Sequence, residues 1–131
     1  MVALLTAEPF SDRAETFAAQ GSAFLIVSDF AAAEYASAMA RHCRTGDFTI
    51  EQARTALASF DGWVAGAAHL IEVLPVDMAL AAGFLRRLTL PLRTPDAIHI
   101  AMTQRIGASL VTFDRRLAAA AQALGVPVAE A

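Results

Sequence analysis

Residues Thr94–Asp114, TPDAIHIAMTQRIGASLVTFD, constrain the fold most. This stretch holds a helix start, a helix, a tight turn, a short apolar strand and a second helix start. Thr94 can serve as an N-cap, and Pro95 suits the first helical position. Asp96 then falls in the first turn, where the positive end of the helix dipole favours a carboxylate. Gly107 ends the helix. Ser109–Phe113 (SLVTF) reads as a strand, and Asp114 follows it at once as a cap for a helix over Arg115–Leu124. A short apolar strand between two helices is buried on both faces, which points to a parallel sheet.

The rest of the chain repeats that alternation. Ala23–Val27 (AFLIV) reads as a buried strand, and Ser28 or Asp29 caps a helix to about Arg44. Thr49 and Gln52 have the spacing of a capping box for a helix from Ile50 to about Ala65. His69–Leu74 reads as a strand ended by Pro75, and Asp77 as the cap of a helix to about Leu88. Val126–Ala129 makes a last short strand. At the N-terminus, Met1–Leu5 (MVALL) looks helical and is broken by Pro9, and Asp12–Gln20 forms a further helix ended by Gly21. The expected fold is α/β, with a parallel sheet between helical layers. Ligands of such sheets bind beyond the carboxyl ends of the strands.

At 131 residues the chain is long enough for one domain with a real core, and residues 1–131 read as a single domain. A hydrophobic content of 56% excludes disorder. No apolar run approaches the ~20 residues of a membrane span, and no signal peptide is visible. One cysteine, Cys43, excludes an internal disulfide and fits a reducing cytoplasm. A net charge of −3 argues against a general nucleic-acid coat. It leaves room for an enzyme that reaches nucleic acid through metal ions.

Three acids stand out. Glu34 lies on a helix face otherwise suited to packing, beside Phe30, Ala31, Ser37 and Ala38. A carboxylate there costs free energy unless it is paired or metal-bound. The bland alternatives are an ion pair with Arg41 or a water-exposed helix edge. Asp96 and Asp114 are each explained as helix caps, worth ~0.5–2 kcal/mol. Taken together at one sheet edge, the three make a carboxylate cluster, which needs cations to stay ionised. Hard oxygen donors of this kind select Mg²⁺ or Mn²⁺. His99, one turn after Asp96, is either a metal partner or a partly buried residue with a hydrogen-bond partner. Asp77 reads as a cap only. Arg115 and Arg116, next to Asp114, are the better candidates for phosphate contacts, against a solvated face as the alternative.

The runs Phe30–Glu34, Thr94–Ala101 and Leu110–Leu117 (FAAAE, TPDAIHIA and LVTFDRRL) resemble, in order and spacing, the PIN-domain ribonucleases, and most of all the VapC-type toxins of toxin–antitoxin modules. The resemblance implies a PIN-like three-layer α/β/α fold and a Mg²⁺- or Mn²⁺-dependent endoribonuclease. Glu34, Asp96 and Asp114 would be its catalytic, metal-binding acids. It also implies a homodimer and an antitoxin that covers the active site. One departure is expected. These proteins begin with a central strand ending in a metal-binding Asp, whereas MVALLTAEP resembles the helix that follows it. The N-terminal central strand and its Asp therefore read as missing, and a start site upstream of Met1 is the expected explanation. A catalytically impaired PIN-like remnant that binds a partner is the alternative function. A phosphoacceptor receiver ranks last, because the chain has no Lys among its 10 basic residues.

Overall fold

The computed structural model describes residues 2–6 and 24–129. The elements run β1 (Val2–Leu5), β2 (Phe24–Ser28), α1 (Asp29–Arg44), α2 (Ile50–Ala67), β3 (His69–Ile71), α3 (Pro75–Leu85), α4 (Thr94–Ile106), β4 (Ser109–Val111), α5 (Arg115–Ala123) and β5 (Val128–Ala129). All strand pairings are parallel, in the order β3-β2-β1-β4-β5. The helix expected over Asp12–Gln20, with its stop at Gly21, lies outside the described residues.

Side chains alternate across the sheet, as strand geometry requires. Leu4, Ile26 and Leu110 point into one cluster, with Phe84 of α3, Ile98 and Met102 of α4, and Leu117 of α5. Ala3, Leu5, Leu25, Val27 and Val111 point into the other, under Ala31 of α1 and Phe60 of α2. The result is the expected three-layer α/β/α arrangement. Among the described residues, no helix is long and apolar enough to cross a membrane.

The expectation of a missing central strand is overturned. Val2–Leu5 is itself that strand, pairing with β2 on one side and β4 on the other. The helical reading of MVALL fails for a physical reason. A short apolar run has no period with which to choose helix or strand, and burial decides. Here Ala3, Leu4 and Leu5 are all fully buried between two strands. The expected Asp is indeed not at the strand's carboxyl end; Thr6 stands there, donating from its backbone N and from Oγ1 to the Val111 carbonyl at 3.3 and 3.2 Å. Leu4→Ala is expected to cost about 2–5 kcal/mol in urea denaturation, the range for emptying a core site. A frayed helical end would lose far less.

Several element ends also move. Ser28, not Asp29, caps α1, accepting from Ala31 N at 2.9 Å. Asp29 instead accepts from Val73 N, so the chain leaves the sheet soon after Ile71. Helix α3 starts at Pro75, and Asp77 accepts from Leu74 N. Helix α4 is capped by Arg93, whose N donates to Asp96, and it ends at Gly107 with φ 65°, a conformation glycine adopts without strain. Strand β4 stops at Val111, since Asp114 N turns back to Thr112 Oγ1.

Candidate functional site

In a parallel sheet the helices run against the strands. A helix that follows a strand therefore starts near the sheet's carboxyl edge, and so does a helix that leads into the next strand. Strands β1, β2 and β4 end there at Leu5, Ser28 and Val111, and α1, α4 and α5 begin there. The strand order reverses direction at β1/β4, the position where open α/β sheets form a ligand crevice.

A cavity of about 530 Å³ lies at this edge. Glu34, Ala38 and Arg41 reach it from one stripe of α1, at spacings of four and three residues. Asp96 and His99 reach it from α4, three residues apart and so on one face. Thr6 forms part of its floor. The structure thus brings Glu34 and Asp96, distant in sequence, to one space. Arg93 stands beside Asp96, with Nε 3.9 Å from Oδ2, and its side chain is 85% exposed. Tyr35 also lines the cavity, and burial pushes its phenol pKa up, so the ring stays neutral at ordinary pH.

Among the described residues Glu34 makes no ion pair with Arg41, and its side chain is partly exposed at the cavity. Its Oε1 meets His99 Nε2 in a hydrogen bond. His99 is only 3% exposed and sits in the otherwise apolar inner run of α4. This buried, hydrogen-bonded histidine matches one of the two readings of that residue.

Asp114 does not line the cavity. Its Oδ1 accepts from Arg116 N at 2.8 Å and from Leu117 N at 3.2 Å, so it caps α5. Leu117, one turn on, does line the cavity. Arg115 and Arg116 are exposed and border a separate groove with Leu90 and Pro91. Among the described residues, the cations at the cavity itself are Arg41, expected from the sequence only as a partner for Glu34, and Arg93, which carries no sequence signal. Only the spacing of Arg41 from Glu34 on one helical stripe signals it.

Among the described residues, no three His, Cys, Asp or Glu side chains converge on one ion position. Two carboxylates facing one open cavity nevertheless fit Mg²⁺ or Mn²⁺. Such ions commonly take one or two protein carboxylates and complete their shell with water and substrate phosphate.

The PIN domain family model matches residues 1–123. A search of curated proteins finds no match. Among solved structures, VapC20 of Mycobacterium tuberculosis, a sarcin-ricin loop cleaving toxin, superposes with a TM-score of 0.71 at 17% identity, over 90% of this chain and 94% of that one. VapBC2 of Rickettsia felis, bound to a DNA fragment from its promoter, gives 0.71 at 14% identity, over 98% of each chain. PAE2754 of Pyrobaculum aerophilum gives 0.66 at 21% identity, over 92% of this chain and 79% of that one. At these identities the likeness establishes the fold.

Proposed function

The chain belongs to the PIN-domain family, and from that premise we propose that it is a metal-dependent endoribonuclease, the toxin of a toxin–antitoxin module. One observation carries the proposal: Glu34 and Asp96, from different helices, line the same open cavity, as do Arg41 and Arg93. The toxin among the structural neighbours and the VapBC assembly support the toxin reading. An antitoxin partner, a homodimer and a cytoplasmic location belong to the same proposal.

Glu34 and Asp96 would hold Mg²⁺ or Mn²⁺, and Asp114, which caps α5 one turn before the cavity-lining Leu117, would be the third acid of the site. When bound, the ion supplies Lewis-acid stabilisation of the phosphate and an activated water. The remaining work falls to the protein. Arg41 and Arg93 attract the phosphodiester backbone and place it over the acids. Arg115 and Arg116, at the start of α5, extend that contact along the same edge. Arg41→Ser and Arg93→Ser are each expected to weaken RNA binding and to lower the slope of log affinity against log salt by about one. Fluorescence anisotropy of a labelled RNA over a salt series measures this.

The function is tested by incubating the purified chain with RNA and Mn²⁺, with and without chelator. Cleavage that the chelator abolishes is expected. A well-folded protein that cuts no RNA at any Mn²⁺ concentration would refute the nuclease reading.

A specific observation favours a second reading. Thr6, not an acid, ends the central strand, and Asp114 Oδ1 is occupied by the cap. Both features suit a catalytically impaired PIN protein that binds an antitoxin. Co-purification with a small antitoxin, without RNA cleavage, selects that reading.

A further inference from the structure

We propose that His99 is a positioning residue that sets the orientation of the Glu34 carboxylate toward the cation; the inference rests on the metal-dependent reading given above.

Among the described residues, the surroundings of His99 leave its ring one hydrogen-bonding task. It lies among Ile98, Ile100, Ala101 and Met102, all buried, on the part of α4 that packs into the core. A polar ring there must find a partner or weaken the fold. Its Nε2 meets Glu34 Oε1. Its Nδ1 is buried and has no hydrogen-bond partner among the described residues. A carboxylate oxygen accepts, so Nε2 carries the proton and donates. Among the described residues, the only hydrogen bond of this ring is therefore the one to Glu34.

The ring is also held in place. Phe30, one turn before Glu34 on α1, packs its ring 5.2 Å from the imidazole at 59°. Helix α1 thus supplies both the acceptor and the wall behind the donor. At the backbone, Thr103 Oγ1 donates to the His99 carbonyl at 2.7 Å, within the same helix. Glu34 is less constrained on its own, since its side chain is 30% exposed. Among the described residues no other group bonds its carboxylate. Without His99, that carboxylate would rotate freely at the cavity wall. With it, Oε1 is held against α4, and Oε2 has no hydrogen-bond partner among the described residues. Because Asp96 shares the His99 face of α4, the same contact holds Glu34 at a set position relative to the second acid.

Partners that orient a metal ligand from behind commonly change metal affinity 10- to 100-fold when removed. The test is Mn²⁺ affinity of the RNA-free, full-length chain, measured by electron paramagnetic resonance of free Mn²⁺. Thermal melts confirm folding. His99→Phe keeps the ring volume and removes the donor, and it is expected to weaken Mn²⁺ binding about tenfold. His99→Gln returns an N–H near the Nε2 position and is expected to restore most of the affinity. In a Glu34→Gln background, His99→Phe should have no further effect, because the two residues act as one unit. A folded His99→Phe protein that binds Mn²⁺ like the wild type overturns the inference, as does an equal loss in the Glu34→Gln background. The underlying reading fails separately: then Glu34→Gln itself leaves Mn²⁺ binding unchanged, or the wild type binds none, and the inference falls with it.

Discussion

Glu34→Gln and Asp96→Asn are each expected to lower Mn²⁺-dependent RNA cleavage by about a hundredfold or more. The substitutions are nearly isosteric, so the folded structure should persist. They remove charge from the two side chains that face the cavity from α1 and α4. A bound divalent ion contributes several kcal/mol to phosphoryl chemistry, and each ~1.4 kcal/mol is tenfold in rate. Losing one of two carboxylates therefore reaches a hundredfold readily. Asp114→Asn is expected to do less, because an amide oxygen at that position can still accept from Arg116 N and Leu117 N. Single-turnover cleavage, with circular dichroism as the folding control, separates the three. Cleavage by Glu34→Gln at the wild-type rate would remove Glu34 from the site.

Arg105→Met is expected to be the most destabilising change away from the cavity. Asp77 is fully buried near the start of α3 and pairs with Arg105 of α4 through two contacts, Nε–Oδ1 at 2.7 Å and Nη2–Oδ2 at 3.0 Å. Arg105 Nη2 also donates to the Glu72 carbonyl at 3.2 Å. Replacing the pair with apolar groups need not harm a fold, but removing one partner strands a buried charge. That costs about 3–5 kcal/mol. In a chain of this size the melting temperature should fall by about 10 °C or more. Asp77→Asn/Arg105→Met removes the stranded charge while keeping a side-chain oxygen to accept from Leu74 N, so it should recover part of the loss. Differential scanning calorimetry of the single and double variants checks both expectations. A single variant as stable as the wild type would mean that the pair is solvated.

The parts of this molecule that were legible in its sequence are those with local causes. Glu34 was conspicuous because an acid sat on a packing face. The α4–β4–α5 unit was legible because Pro95, Gly107 and Asp114 mark its boundaries by capping chemistry and backbone constraint. Thr49 and Gln52 form the expected capping box, with both hydrogen bonds made.

The illegible parts depend on contacts between distant residues. Val2–Leu5 has helix-forming residues and no period, and only its place between β2 and β4 makes it a strand. The Asp77–Arg105 pair spans 28 residues of sequence, so Asp77 looked like a cap and nothing more. The Glu34–His99 contact spans 65 residues and joins the two helical layers beyond the end of the sheet. Arg93, the cap residue of α4, shares the cavity with Glu34 and Arg41, which are distant in sequence. Spacing within one helix reveals such groups only when they share a face, as Asp96 and His99 do.

The central claim is that the acids of α1 and α4 converge on one cation at the carboxyl edge of the sheet. Anomalous diffraction from crystals of the full chain soaked in saturating Mn²⁺ tests it most directly. The expected result is a peak in contact with the carboxylates of both Glu34 and Asp96, lost in the Glu34→Gln protein. No peak in that cavity, or one that touches neither carboxylate, would contradict it.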